Sequence, residues 1–257
     1  MRNILIIAKR DLRAQFNSPV AYVVIGGTVL LLGILFFLIP HVGGIFMGSF
    51  WEVDRATMDQ MFLFLPPLMS LFVIPAVTMR SLAAEKGSGT LELLITMPVS
   101  DADVILGKYF ASCAMVLVLL LLTMIYPLAL FAGCPWHMGP LDWGPVWSGY
   151  LGCVFFSLAA VAIGMMLSSL TESDVIAFFT TAGTLCFLYA IGYMVSLVAA
   201  SGSQGVFRDG LAFISFQTRL QAFMRGIIDT RAVVYFLSVT VLCLLVAFRS
   251  LESRKWS

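Results

Sequence analysis

The sequence predicts an all-α, polytopic membrane protein, and three observations carry that prediction. Of 257 residues, 60% are hydrophobic and only 11% are charged, with a mean hydropathy of +0.99; soluble domains are roughly half apolar and about a quarter charged. Six uncharged apolar stretches are each long enough to cross about 30 Å of hydrocarbon as a helix. Their apolar runs, such as Val116 to Leu122, lack the in–out alternation of a membrane β-strand. A water-soluble enzyme is excluded. Fifteen basic and 14 acidic residues give a net charge of +1, so no basic stripe offers itself to nucleic acid.

Residues 1–18 come first, with Arg2, Lys9, Arg10, Asp11 and Arg13 interrupting what would otherwise be the apolar core of a signal peptide. Read as a helix, Leu5, Ala8, Leu12 and Phe16 share one face and the cations another, the pattern of an amphipathic helix lying in the membrane interface. Pro19 marks the bend into the first span. The spans are predicted at Val20 to Pro40, Met61 to Met79, Tyr109 to Gly133, Ser148 to Leu170, Val175 to Ala200 and Ala232 to Phe248. They form a single transmembrane domain over 1–257.

With both termini cytoplasmic, the inner segments hold Arg2, Lys9, Arg10, Arg13, Arg80, Lys86, Lys108, Arg249, Arg254 and Lys255, leaving Arg55, Arg208, Arg219, Arg225 and Arg231 outside. That asymmetry obeys the positive-inside rule, and Trp51, Trp136, Trp143 and Trp147 form an outer interfacial belt. No Asp, Glu, Lys, Arg or His lies within the six predicted spans, which argues against a transporter driven by protons or ions. Thr123, Ser157, Thr180, Thr181 and Thr184 read as helix-packing groups. The five cysteines lack metal-ligand spacing, and His41 and His137 stand apart in loops, so neither a metal site nor a catalytic residue is expected.

The inner loop, 80–108, holds most of the chemistry. Gly87 and Gly89 allow a tight turn, Ser88 or Thr90 caps a helix, and Pro98 stops it, giving about two turns from Thr90 to Met97. Leu91, Leu94 and Ile95 are more apolar than an exposed helix of that length requires, so a partner covering them is expected. A plain connector packed on the bilayer surface is the alternative. Ser100 with Asp103 signals the start of the helix leading into the third span. Gly107-Lys108 resembles the end of a P-loop, but Ala102 stands where its first glycine belongs and Tyr109 where its hydroxyl belongs, so no nucleotide site is expected in this chain.

Two further segments are candidates. Thr171, Glu172, Ser173 and Asp174 form either a short polar turn or a second contact for a cytoplasmic partner. In the outer loop, 201–230, Phe213, Phe216, Leu220, Phe223 and Ile227 recur at steps of three and four. That spacing predicts one amphipathic helix from Phe213 to Ile228, with Gln217, Arg219, Gln221 and Arg225 on its other surface. It is too short and too charged to span, so it lies at the outer face, dipping into the bilayer edge or roofing a substrate path.

These motifs resemble those of ABC-2-type permeases, the membrane subunits of ATP-binding-cassette transporters. The resemblance rests on the N-terminal helix ending F-N-S-P, on E-K-G-S-G-T-L-E-L-L-I-T-M-P-V-S with the following L-G-K, on L-S-S-L-T-E-S-D-V-I-A, and on R-G-I-I-D-T-R-A-V-V-Y-F-L-S. It covers nearly the whole chain and is closest to the gliding-motility-associated type, departing from that pattern at Ala84 and Gly87. It implies a dimer, with a second copy or a paralogue, on cytoplasmic ABC ATPase subunits that bind ATP and magnesium, this chain binding neither. The helix from Thr90 to Met97 would then be a coupling helix, with Leu91, Leu94 and Ile95 as anchors, Glu85 and Glu92 as rim contacts, and Lys86 and Thr90 completing the site. The expected function is a non-enzymatic exporter subunit of a bacterial inner membrane, with a periplasmic-domain accessory protein as a further partner. A membrane scaffold built on the same fold, or an intramembrane hydrolase or transferase, are the rival readings.

Overall fold

The computed structural model describes residues 2–37, 58–87, 100–132, 141–200 and 206–252. These residues are helical almost throughout, with no strand among them, and six helices are long and apolar enough to cross a membrane. The chain is a multi-pass membrane protein. Helix α1 (Arg2–Asn17) leads through Ser18 into α2 (Pro19–Phe37), where Pro19 opens the first span at a first-turn position whose N–H would have no intrahelical acceptor. Span two combines α3 (Asp59–Leu68), a π-helical turn (Met69–Val73) and α4 (Ile74–Gly87). Span three is α5 (Asp101–Thr123) with α6 (Ile125–Phe131). Spans four and five are α7 (Trp143–Leu170) and α8 (Asp174–Ala200). Two short helices, α9 (Val206–Ile214) and α10 (Phe216–Met224), precede the last span, α11 (Thr230–Glu252).

Several helices overrun the predicted spans. Span two continues helically from Met79 to Gly87, and span three begins at Asp101, eight residues before Tyr109, so the inner loop is helical at both ends. Ser100 is the N-cap of α5 as expected, its Oγ accepting from Asp103 N at 3.2 Å.

Prolines set the irregularities. Pro66 and Pro67 lie inside α3 and supply no N–H, which frees the carbonyls of Phe62 and Leu63. The Tyr189 hydroxyl donates to Leu63 O at 3.4 Å, and Ser70 Oγ donates to Pro66 O at 2.8 Å beside the π turn. Pro127 likewise cannot donate to Thr123 O, and the helix steps at Met124. Tyr126, one residue earlier, donates to Val29 O of α2.

Helix α7 is the axis of the bundle. Phe156, Ala159, Ala160, Val161, Ala162 and Met165 are wholly buried, and α4, α10 and α11 pack around it. Small residues permit that closeness. A Cβ on Gly164 would stand 2.4 Å from Thr78 Oγ1, and one on Gly149 would stand 2.4 Å from the Phe62 ring.

Candidate functional site

One end of the bundle gathers the C-termini of α4, α7 and α11 with the N-termini of α5 and α8, and α1 packs along α5 there. Gly107 allows that approach, because a Cβ in its place would lie 2.8 Å from the Ile7 side chain. The next residue, Lys108, is 4% exposed and its ammonium lies 2.7 Å from Glu85 Oε1 of α4 and 3.2 Å from Asp11 Oδ2 of α1. An ammonium so deeply buried is stable only when paired, and two carboxylates from different helices do that here. Arg10 donates from Nε to the other oxygen of Asp11 at 2.8 Å.

The Gly-Lys pair thus has a structural explanation unrelated to a phosphate loop. The sequence signal for the cluster was weak, since Lys108 stands one residue outside the third apolar stretch and its partners lie 23 and 97 positions away. Its one visible trace was a lone acid, Asp11, among the cations of an amphipathic helix.

Helix α1 also corrects a sequence expectation. Leu12 and Phe16 pack on the core as its apolar face requires, but Leu5 is exposed and Ile7 is buried instead. The Asp11–Lys108 pair and the Gly107 contact fix the rotation of the helix, leaving Leu5 and Ile6 outward.

Two predicted contact segments meet at this end. Lys86 donates to Ser169 O, one of the carbonyls in the last turn of α7 that have no intrahelical donor, and Ser250 Oγ of α11 donates to the same oxygen at 3.2 Å. Arg80 stands 3.7 Å from Asp174, the first residue of α8. A Cβ on Gly87 would lie 2.7 Å from the Glu172 carbonyl oxygen. Thr171 Oγ1 donates to Leu167 O at 3.3 Å. The root of the inner loop (Glu85, Lys86, Gly87) is therefore set against the turn at Thr171–Asp174. Ser168 Oγ completes the junction by accepting from Leu82 N and Ala83 N and donating to Met79 O. Thr90, Leu91, Glu92, Leu94 and Ile95 lie outside the described residues.

At the opposite end the structure corrects the predicted helix from Phe213 to Ile228. Ser215 ends α9 and caps α10, its Oγ accepting from Thr218 N at 3.3 Å, and a turn through Gly226, with φ +86°, ends α10 before Ile227. The apolar stripe is divided accordingly. Phe216, Leu220 and Phe223 are buried, whereas Phe213 and Ile227 are each 61% exposed. Gln217, expected on the surface, is buried, and a Cβ on Gly192 would meet its Oε1 at 2.3 Å. Phe216 meets Phe156 and Phe236 edge-on, with centroids 5.7 and 5.6 Å away. Gly192 lies about 12 Å along α8 from its end, at about 1.5 Å per residue, so the Ser215 tip enters the bundle. Arg219 stacks between the rings of Phe213 and Tyr235, at 5.1 and 5.4 Å.

Among the described residues no group of His, Cys, Asp and Glu is arranged to hold a metal ion. The family model described as ABC-2 family transporter protein matches residues 52–249. No curated protein matches the chain.

Proposed function

Since the chain belongs to the ABC-2 transporter family, we propose that it is the permease subunit of an exporter in a bacterial inner membrane, driven by a separate ATPase. Members of this family are normally the non-catalytic membrane component of an ABC transporter. The ATPase docks on the cytoplasmic end defined by the Glu85–Gly87 root and the Thr171–Asp174 turn, with the coupling helix at Thr90 to Met97 seated in its groove. One observation carries the reading: the loop root and the turn are locked together by Lys86–Ser169, Gly87–Glu172 and Arg80–Asp174. A push on the loop is thereby passed to α4, α7 and α8 together.

ATP and magnesium belong to that partner, and a second permease copy or a paralogue completes the pore. The motif resemblance supports a transporter of the gliding-motility-associated type, and we propose a periplasmic-domain protein as its accessory. Both termini are then cytoplasmic, and the helices α9 and α10 roof the outer end of the path.

The test is reconstitution with the cognate ATPase. Leu94→Asp and Glu92→Arg should leave insertion intact and abolish ATPase co-purification or stimulated hydrolysis, because a charge is buried or reversed in the docking groove. Unchanged hydrolysis in both variants would sink the coupling assignment. Phe213→Asp, at the exposed end of the stripe, should impair transport while basal hydrolysis persists; normal transport would remove the gating role.

A further inference from the structure

The positive-inside rule leaves one segment unexplained. In the topology proposed above, Arg55 is the only Lys or Arg of the first two outer loops, whereas Arg208, Arg219, Arg225 and Arg231 crowd the third. Asp209 and Asp229 are the only acids between residues 201 and 231. Asp229 is engaged at the start of α11, its Oδ1 accepting from Arg231 N at 2.9 Å. Among the described residues no acid lies within ion-pair distance of Arg219, Arg225 or Arg231. An excess of cations on the side where they are normally sparse calls for an anionic counterpart.

Two of these arginines converge on one ring. The Arg219 guanidinium lies 5.4 Å from the centroid of Tyr235 and 5.1 Å from that of Phe213. Tyr235 is itself fixed, its hydroxyl donating to Ile214 O at 2.8 Å. Arg231 precedes Tyr235 by four residues on the same face of α11, so their Cβ atoms are about 5–6 Å apart, and a helical side chain leans over the turn before it. The ring that carries Arg219 therefore lies beside the Arg231 turn. Arg231 is exposed and Arg219 half-buried. A phosphate set against Tyr235 is within reach of both, and the planar fork of arginine suits phosphate oxygens.

The same face continues as a track for hydrocarbon. Beyond Arg231, the side chains of Val234, Leu237, Val241, Leu242 and Leu245 are all exposed along it. It ends at Arg249, which at 1.5 Å per residue lies about 27 Å from Arg231, close to the ~30 Å thickness of the hydrocarbon layer. Arg231 thus stands at headgroup depth when Arg249 stands at the opposite boundary.

We propose that Arg219 and Arg231 hold the phosphate of an anionic phospholipid, of the phosphatidylglycerol type, whose acyl chains lie along the exposed face of α11. Its net negative charge answers the excess of cations, whereas a choline headgroup would add one more. Assigning the lipid to the outer leaflet rests on the topology proposed above; the site itself does not. Through Arg219 the lipid braces α10 against α11 from the membrane side.

Purified full-length protein, in detergent and with any co-purified subunits, would be titrated by native mass spectrometry with dioctanoyl phosphatidylglycerol and dioctanoyl phosphatidylcholine. The glycerol lipid should bind roughly tenfold more tightly, the scale of one charge-assisted hydrogen bond. Arg231→Gln and Arg219→Gln should each weaken its binding by roughly threefold or more. Arg249→Gln removes the same formal charge at the other end of the face, where Glu252 already lies 2.9 Å away, and should leave the affinity within about twofold. Arg231 is exposed, so its variant decides alone if loss of the stacked Arg219 prevents folding. Acyl-free glycerophosphoglycerol at about tenfold excess should not displace the lipid, because it lacks the chains that bury apolar surface on α11; displacement would mark a site for a soluble anion such as an acidic substrate. Equal binding of the two lipids, unchanged affinity in Arg231→Gln, an equal loss in Arg249→Gln, or that displacement would each overturn the proposal.

Discussion

Helices α2 and α7 are both long, uncharged and apolar, yet 17% of the most apolar stretch of α2 is buried within the chain against 67% of that of α7. Their glycines behave differently too. A Cβ on Gly26 or Gly27 of α2 would meet nothing within 4 Å and one on Gly33 would crowd only Tyr126, whereas one on Gly149, Gly152 or Gly164 of α7 would strike Phe62, Phe223 or Thr78. Lipid and protein interior are equally apolar, so hydropathy marks both helices as spans and cannot say which one is the axis. Small residues do not settle it, since both helices have them. What separates the two is the set of partners that reach α7 from distant parts of the chain.

The sharpest test of that contrast is aromatic truncation against α7. Phe216→Ala removes a buried ring from the Phe156–Phe236 cluster and should cost about 3–5 kcal/mol, read as a loss of thermal stability in detergent. Phe213→Ala, on the other side of the Ser215 break and exposed, should cost under about 1 kcal/mol. Equal losses would mean that the Ser215 break does not divide the stripe.

Lys108→Met tests how the weakly buried α1–α2 arm is held. It leaves Asp11 and Glu85 without their shared cation, and about 3–5 kcal/mol is the cost of breaking a buried pair from one side. Limited proteolysis should then cut within α1 while α7 stays protected. Unaltered protection of α1 would show that packing on Gly107 alone secures it.

Gly164→Val compares the two helices directly. Overpacking against Thr78 should destabilise by about 1–3 kcal/mol, while Gly27→Val in α2 should lie within about 0.5 kcal/mol of the parent. A large loss for Gly27→Val would reveal a surface covering α2 in the assembled protein. The smallest effect is expected for Val23→Ala, also within about 0.5 kcal/mol, because that side chain is 72% exposed.

Local features of the fold could be read in advance, and the exceptions share a cause. Ser100 followed by Asp103 announced the start of α5 because an N-cap is a local event. The meeting of Lys86 with Ser169 was not visible, since 83 positions separate them. Pro66, Pro67 and Pro127 were present to be read, but the response to a missing N–H depends on which neighbour can satisfy the freed carbonyl. Here that neighbour for Leu63 is Tyr189, 126 positions on. The stripe from Phe213 to Ile227 had the right period over the wrong length. Periodicity ignores a serine that caps a new helix, and a pair of short helices entering the bundle preserves the spacing of a single one.

The sequence by itself determined that the described residues hold six helices long and apolar enough to cross a membrane, because in hydrocarbon a run of about 20 apolar residues satisfies its own backbone polar groups only as a helix. Only the tertiary structure decided which helix is the axis, how α1 is rotated, and that Lys108 is neutralised by two acids from separate helices. Those outcomes depend on long-range pairing of charges and close-packed small residues. Such contacts leave no period and no fixed spacing along the chain.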